Sequence, residues 1–234
     1  MQRILDIHIE KLKKRLMKMC SLVDEQVDMA IKSVEQEDLE LAKEVIERDK
    51  KVNKFDVKIE KLCQKIFALN QPVAMDLRLI MSAMSMDTNL ERIGDIAVNI
   101  AEHFLSIERK PSFFEKTKFD EMAKLSRYMI KYAIDSFVEG SAELARKVIE
   151  SDDNMDNMYA ENRKILIEIM KEGRENIEPA VTLLGISRQM ERLGDLATNI
   201  AEDVFFIVEA QLIKHKYEKY LFSEEDEVDE TTED

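Results

Sequence analysis

Residues 91–102 read ERIGDIAVNIAE, and residues 191–202 read ERLGDLATNIAE. Nine of these twelve positions are identical, and two of the other three exchange isoleucine for leucine. A second pair of similar segments, AKEVIERD ending at Asp49 and ARKVIESD ending at Asp152, has nearly the same separation along the chain. The sequence therefore indicates an internal duplication that spans most of each half.

Hydrophobic periodicity predicts that the first half consists of three long helices. Between Leu5 and Val34 apolar residues recur at steps of three and four, the period of a helix with one buried face. Asp38 is a suitable N-cap for a second helix that ends before Pro72, and Pro72 suits the first turn of a third. With only 5 glycines and 3 prolines in 234 residues, turns are scarce and long helices are favoured.

The second half repeats this plan. Helices are predicted from about Glu115 to Glu139 and from the turn at Gly140 to about Glu172, and a last long helix follows Pro179. We predict an all-α protein of two tandem antiparallel three-helix bundles related by an internal pseudo-twofold repeat. The predicted parts are a first bundle at residues 1–109, a second bundle at residues 115–222, and an acidic, disordered tail at residues 223–234.

Charge and composition argue against several classes of function. The net charge of −14 disfavours nucleic-acid binding, because a phosphate backbone would be repelled, and it indicates cations or basic protein surfaces as partners. The two cysteines, Cys20 and Cys63, have no CxxC spacing, which suits a reducing compartment. The sequence has neither a signal peptide nor a run of about 18 apolar residues. We therefore expect a cytoplasmic protein that meets membranes only peripherally.

Each copy of the repeated cassette carries two acids four residues apart, Glu91 with Asp95 and Glu191 with Asp195. On a helix this spacing places both carboxylates on one face, where they repel each other unless a cation or a basic group lies between them. The apolar positions of the same helix face the core, so we expect the acids to point outward. Such pairs are also common on solvated helix surfaces, and a docking surface for basic partners is the competing interpretation.

Two further features favour a metal site. Gly94 and Gly194 lie inside helices, where glycine costs about 1 kcal/mol relative to alanine, which indicates that another element approaches the backbone closely. A second pair lies on the preceding helix of each half: Asp49 with Asn53, and Asp152 with Asp156. If the two helices of each half lie side by side, their oxygen ligands converge and suit a hard or borderline cation such as iron, manganese, magnesium or calcium.

The segments LERIGDIAVNIAE and MERLGDLATNIAE, each at the end of a three-helix unit, resemble the PhoU family of phosphate-transport accessory proteins, as does QPVAMDLR at residues 71–78. The resemblance covers both halves and leaves out only the tail. It implies two PhoU domains, each an antiparallel three-helix bundle, in a cytoplasmic protein that often forms a homodimer. It also implies regulation of phosphate uptake through contact with the phosphate ABC transporter, at its ATPase subunit, and with the sensor histidine kinase of the phosphate regulon.

Members of this family can hold metal, including multinuclear iron, on paired E(D)xxxD motifs. The resemblance therefore implies iron for this chain, with manganese, magnesium or zinc as alternatives. The implied ligand positions are Asp49, Asn53, Glu91 and Asp95 in the first half and Asp152, Asp156, Glu191 and Asp195 in the second. Asn53 stands where the family tends to have an acid, which leaves the first site one charge short unless Asp87 or Asp56 supplies a ligand. Leu196 stands where the family often has histidine, so the two sites are expected to differ.

The sequence gives little support for catalysis. A ferritin-like di-iron oxidase needs Glu-x-x-His in its bundle core, and none of the three histidines has a glutamate three positions earlier. The chain also lacks the G-x-x-x-x-G-K-[ST] motif of nucleotide-binding loops, and neither cysteine has a recognisable catalytic partner. We therefore predict a non-enzymatic regulator. A metal-free helical adaptor whose acidic faces bind basic partner surfaces is the alternative.

Overall fold

A computed structural model describes residues 4–209 of the chain. Within this range the protein consists of α-helices joined by short turns and has no β-strand, as predicted. The helices are α1 (Ile4–Gln36), α2 (Leu39–Asn70), α3 (Ala74–Ile107), α4 (Phe119–Glu139), α5 (Ala142–Ile149), α6 (Asp152–Glu172) and α7 (Ile177–Glu209). Two short 3₁₀ turns, Phe114–Lys116 and Arg174–Asn176, precede α4 and α7.

Local capping explains where several helices begin and end. The Asp38 carboxylate accepts a hydrogen bond from the Leu41 backbone N–H at 2.9 Å, so this residue is the N-cap of α2, as predicted. Ser141 caps α5 in the same way, through the Leu144 N–H at 3.3 Å. Gly140 ends α4 with a φ of 64°, a left-handed conformation that glycine adopts without strain.

Several predicted boundaries differ from the structure. The last helix begins at Ile177 and includes Pro179 in its first turn, and α4 begins at Phe119 and not near Glu115. The helix predicted to run to Glu172 is interrupted at Glu150 and Ser151, which separate α5 from α6. The Ser151 hydroxyl donates a hydrogen bond to the Lys147 carbonyl oxygen at 2.7 Å, and serine bonds of this kind compete with the regular helical ladder. Pro72 lies two residues before α3 and is not part of its first turn.

The chain forms two bundles that share one core. Helices α1, α2 and α3 pack together, and in the second bundle α5 and α6 jointly take the place of one helix beside α4 and α7. Helices α3 and α7 pack against each other and run antiparallel, since Ser106 near the end of α3 and Thr182 near the start of α7 line the same cleft. The His103 ring covers Gly185 on α7, where an added Cβ would lie 3.0 Å from the imidazole. The buried apolar residues of both bundles form one continuous cluster.

An ion-pair network also joins the bundles. Arg127 on α4 donates from Nε to Asp28 at 2.9 Å, and both of its terminal nitrogens donate to Glu35 at 2.8 Å. Both acids belong to α1. A bidentate contact between guanidinium and carboxylate fixes the relative orientation of the two side chains as well as their distance. Together with the packing of α3 on α7, this contact holds the two bundles in a fixed relation.

The described residues include most of both predicted bundles. The helices of the first bundle end at Ile107, within the predicted range 1–109, and those of the second begin after the turn at Phe114–Lys116. Residues 210–222, predicted to complete the second bundle, and the predicted disordered tail lie outside the described residues. Across residues 4–209, no helix combines the length and the apolar character that a membrane crossing requires.

Candidate metal centre

The two cassettes lie in the middle of α3 and α7 and have the same pattern of exposure. Residues 91–100 and residues 191–200 match position by position in their burial. In each copy the aspartate is exposed, the glutamate four residues earlier is half-buried, and the glycine just before the aspartate is buried. The aspartates therefore point to the bundle surface, as predicted, while the glutamates are partly covered.

Three carboxylates converge in the second bundle. Asp156 on α6 and Glu191 and Asp195 on α7 each offer an oxygen, and these three oxygens all lie within 4.8 Å of one another. Gly194 permits the approach of the two helices, because a Cβ at this position would lie 3.3 Å from the Met155 Cγ. The structure thus brings together three of the four ligand positions implied for this half.

Asp152, the fourth position, carries a hydrogen bond of its own. Its Oδ1 accepts from the Thr198 hydroxyl at 3.3 Å. Burial raises the pKa of Asp152 to about 6, and the charges of Asp195 and Asp156 act in the same direction. Burial and then neighbouring carboxylate charge also raise the pKa of Glu191 and that of Asp195. The ionised forms of these carboxylates are therefore unfavourable, and a bound cation or a proton would stabilise the group.

The arginine of the second cassette does not form an ion pair with this group. Arg192 donates from Nη1 to Gln189 Oε1 at 3.3 Å. Its charge lowers the pKa of Glu191 and of Asp195, but less than burial raises them. Within residues 4–209, no lysine or arginine nitrogen lies within 4.0 Å of these two carboxylates or that of Asp156. The group is therefore open to an external cation.

The corresponding part of the first bundle is arranged differently. Asp49 on α2 lies against Gly94 on α3, where an added Cβ would be 3.2 Å from the Asp49 Oδ1 and 3.3 Å from the Val52 Cγ1. Both oxygens of Asp49 accept hydrogen bonds from amides. The Asn53 Nδ2 donates to Oδ2 at 2.7 Å, and the Gln26 Nε2 donates to Oδ1 at 3.3 Å. In the described part of this bundle, no three acids bring their oxygens within 4.8 Å of one another.

Two amide side chains account for this difference between the bundles. Asn53 donates to Asp49 at a position where an acid would have added a ligand. Gln26 is fully buried on α1, and its amide also lies 3.4 Å from the Gly94 carbonyl oxygen. In the second half the equivalent position is Met129, which has no amide to donate. The first bundle therefore satisfies both oxygens of Asp49 with amide donors, whereas the equivalent Asp152 accepts one hydrogen bond, from the Thr198 hydroxyl, among the described residues.

Other acids of the first bundle also have raised pKa values, because of burial and of nearby negative charge. Burial is the main cause that raises the pKa of Glu91, followed by the charges of Asp95, Asp56 and Asp49. Burial and then the charge of Asp49 raise the pKa of Asp95. Asp87, a substitute ligand considered for this site, is only 4% exposed, and its Oδ1 has no hydrogen-bond partner. The structure therefore places Asp87 inside the helix interface and not on the outer face.

Two residues that shape the sites were not predicted from the sequence. Gln26 is a polar residue within the apolar stripe of α1, and that interruption was a usable signal. Thr198 occupies the position of Val98 and is the only difference between the cassettes that adds a hydrogen-bonding group. Leu196 is 8% exposed. A histidine in its place would therefore lie close to the core and not in open solvent.

The chemistry of the second-bundle group fits a hard or borderline cation. Three carboxylates supply oxygen ligands of the kind that magnesium, manganese and iron accept, and a divalent ion would offset the repulsion among them. Neither histidine nor cysteine belongs to this group in the described part of the chain, so it does not resemble a structural zinc site. A basic side chain from a partner protein could offset the same charge.

These features define a class of protein: an all-helical chain of two repeated bundles, with carboxylate pairs carried by neighbouring helices at the surface of each bundle. The PhoU domain model matches residues 16–104 and again residues 119–204. The chain therefore belongs to the PhoU family.

Relatives and solved structures agree with this assignment. The chain is 35% identical over 211 residues to a phosphate-specific transport system accessory protein PhoU homolog from Aquifex aeolicus, covering 90% of this chain and 96% of the relative. It is 33% identical to PhoU homolog 1 from Thermotoga maritima, covering 86% and 89%. The crystal structure of PhoU from Pseudomonas aeruginosa superposes with a TM-score of 0.84 at 31% identity, covering 88% of this chain and 99% of that one.

The two helix-interface glycines are expected to respond differently to alanine. At Gly94 the new methyl group would meet a hydrogen-bonded carboxylate and the β-branched Val52, and we expect a loss of about 1–2 kcal/mol in the free energy of unfolding. At Gly194 it would meet two flexible methionines, so the gain in helix propensity of up to about 1 kcal/mol should be retained. Urea unfolding of both variants measures the difference. Equal effects would contradict this account of the two interfaces.

Acidification is expected to stabilise the metal-free protein. The pKa of Asp152 is raised to about 6 and that of Asp87 to about 8, so the folded chain holds these protons more tightly than the unfolded chain. The stability from a raised carboxyl pKa is fully present below the unfolded value and is lost as pH rises through the folded value. We expect a gain on the order of 2 kcal/mol between about pH 8 and about pH 5, after allowance for solvent screening.

Thermal unfolding in the presence of a chelator measures this pH dependence. The double variant Asp87→Asn, Asp152→Asn should show a flatter profile, because neither amide titrates. A midpoint that falls on acidification over this range in the wild-type protein would contradict the raised pKa values.

Proposed function

We propose that this protein is a non-enzymatic regulator of phosphate uptake and of phosphate-regulon signalling. It acts by docking on the ATPase subunit of the phosphate ABC transporter and on a sensor histidine kinase, in the cytoplasm and as a homodimer. The observation that carries the proposal is the match of the PhoU domain to both bundles, together with relatives named as phosphate-specific transport system accessory proteins along nearly their whole length.

The surface chemistry of the cassettes supports docking on basic partners. Asp95 and Asp195 are exposed on their helices, and Asp156 is exposed beside the second of them. The chain carries a net charge of −14, so its field attracts basic surfaces at long range. Charge complementarity of this kind contributes to the association rate and to the choice of partner.

Recovery of partners from the native cell tests the role of the acids. We expect the variant Glu91→Gln, Asp95→Asn, Glu191→Gln, Asp195→Asn to recover transporter ATPase and kinase at roughly one fifth of the wild-type amount or less, since unlike charges across the interface are lost. A matched control replaces the exposed acids Glu40, Glu44, Glu143 and Glu168 with glutamine and should recover both partners normally. If both variants recover the partners equally well, the cassette acids are not required for docking.

The second part of the proposal concerns metal. We propose that Asp156, Glu191 and Asp195, with Asp152 beside them, hold iron in the second bundle, as a multinuclear cluster, with manganese, magnesium or zinc as alternatives. The convergence of three carboxylates supports this assignment, as does the absence, among the described residues, of any lysine or arginine nitrogen within 4.0 Å of them. A bound cation would supply the positive charge that these acids lack and would fix the geometry of α6 against α7.

The first bundle is proposed to bind metal more weakly at Asp49, Asn53, Glu91 and Asp95. Asn53 and Gln26 already donate to both oxygens of Asp49, so a cation would have to displace two hydrogen bonds. This loss is expected to make the two centres unequal, with higher occupancy in the second bundle.

Elemental analysis of protein purified without chelators tests the metal assignment. After iron-replete expression we expect about one or more equivalents of transition metal per chain, and fewer than about 0.2 in the variant Asp156→Asn, Glu191→Gln, Asp195→Asn, because the ligand oxygens are removed. The variant Asp49→Asn, Glu91→Gln, Asp95→Asn should retain most of the metal. Fewer than about 0.2 equivalents in the wild-type protein would instead favour the alternative, a metal-free adaptor whose acidic faces bind basic partner surfaces.

A further inference from the structure

An apolar groove lies at the end of the molecule where α4 and α7 finish and α1 and α3 begin. It consists of two adjoining cavities of about 310 Å³ and about 300 Å³, which share Lys13, Leu79 and Ile207 among their lining residues. Helices of both bundles form its walls, so the groove lies at their junction. The walls are mainly apolar and include Met17, Met75, Val138 and Val208. We call this site the end groove.

Large apolar side chains of the end groove remain exposed in the described structure. Met75 is 68% exposed, Val138 is 55% exposed and Val208 is 42% exposed. A contiguous apolar surface in a groove is typical of a binding site, because covering it removes apolar area from water. The exposed walls therefore indicate that a further chain segment packs here.

The charged residues of the end groove favour an occupant with positive charge. Asp6, Glu10, Asp76 and Glu139 line the groove together with one lysine, Lys13, so the lining has a formal charge of −3. Unlike charges across an interface favour the matching partner and disfavour others. A segment that combines an apolar face with basic side chains therefore fits both the walls and the charge of the groove.

The chain itself reaches this groove at the point where its described part ends. Val208 lines the groove, and Glu209 is the last described residue. The next thirteen residues, 210–222, read AQLIKHKYEKYLF and carry three lysines and one glutamate, which is a formal charge of +2 in a chain of net charge −14. A basic, partly apolar segment of the same chain therefore begins beside an acidic, apolar groove.

The apolar residues of this segment recur at the spacing of one helix face, at Ile213, Tyr217, Tyr220 and Leu221. On a helix, a rotation of about 100° per residue places Lys214 and Lys216 on either side of this face and His215 opposite it. The sequence of the segment thus predicts an apolar face with flanking positive charges, the combination that the end groove favours.

The length of the segment also matches the groove. The groove follows α1 from Asp6 to Met17, which is about 16 Å at a helical rise of about 1.5 Å per residue. Since α7 runs towards the start of α1, the segment has to turn back after Glu209. A connection of about three residues leaves about ten residues, or about 15 Å of helix. Attachment to α7 gives the segment an effective concentration of about millimolar, an advantage that a separate chain does not have.

We propose that residues 210–222 turn back after Glu209 and pack into the end groove as a helix, with Ile213, Tyr217 and Leu221 against its apolar walls. The flanking lysines then lie beside the acids of the rim. The segment contacts α1 and α3 of the first bundle and α4 of the second, so it closes the junction between the bundles. The Arg127 bridge joins α4 to α1 further along the same helix. This inference does not depend on the proposed function.

Tryptophan fluorescence of the full chain tests this packing. The protein has no tryptophan, so the variant Tyr217→Trp reports on the predicted apolar face alone, and His215→Trp is the matched control on the opposite face. We expect emission at shorter wavelength from Tyr217→Trp, and acrylamide quenching at least about threefold weaker than in His215→Trp, because a packed indole is removed from water. Equal quenching of the two variants would overturn the proposal.

Substitutions in the end groove show whether the protection comes from this site. Adding Met75→Lys and Val138→Lys to the Tyr217→Trp chain should raise quenching to the level of His215→Trp, because the groove loses apolar wall and gains repulsive charge. The matched control adds Val57→Lys and Val181→Lys, which are 43% and 54% exposed in the wild-type protein and do not line the groove, and should leave quenching unchanged. Protection that survives the groove lysines would place the segment elsewhere and overturn the proposal.

A mixing experiment distinguishes the chain's own segment from that of a second copy. The reporter chain carries Tyr217→Trp with the two groove lysines, and the acceptor chain carries Ile213→Lys and Leu221→Lys, which leave its groove intact and its own segment unable to pack. At low micromolar concentration we expect the reporter to stay fully quenched, because the intact groove belongs to another chain and the advantage of attachment is lost. Recovery of protection on mixing would assign the groove to the segment of a second copy and overturn the proposal.

Discussion

The repulsion between carboxylates on closely packed helices is the constraint that the surface chemistry of this protein depends on. Two unit charges 5 Å apart repel by about 0.8 kcal/mol in water and by about 3 kcal/mol in the effective dielectric of a protein surface. Gly94 and Gly194 bring acid-bearing helices into close contact. The chain therefore has to offset this repulsion with a donor, a proton or a cation at each interface.

The two bundles meet this constraint in different ways. In the first, the Gln26 and Asn53 amides donate to both oxygens of Asp49, so part of the charge is stabilised from within. In the second, Met129 stands at the position equivalent to Gln26, and three carboxylates converge without internal donors among the described residues. The duplication has thus kept the helix contact in both halves while the polar groups around it have diverged.

The fold was largely predictable from the sequence, whereas the inequality of the sites was only partly so. Helical periodicity and the Asp38 cap depend on neighbours along the chain, which a sequence displays directly. The donation from Gln26 on α1 to Asp49 on α2 depends on how the helices align in space. The polar residue within the apolar stripe of α1 marks Gln26 as unusual but does not identify its partner. The burial of Asp87 was not predicted for the same reason: its position on α3 identified a helix face but not how far the packed helices cover that face.

Metal and docking are coupled in the proposals made for this protein, because both use the same negative charge. A divalent cation held by Asp156, Glu191 and Asp195 would neutralise two of the negative charges that attract a basic partner. The metal-bound and metal-free surfaces would therefore have different electrostatic fields. The contact of α3 with α7 and the Arg127 bridge hold both faces in one frame, so a change at one site need not alter the shape of the other. Occupancy can then tune the attraction of a partner through charge alone, without rearrangement of the helices.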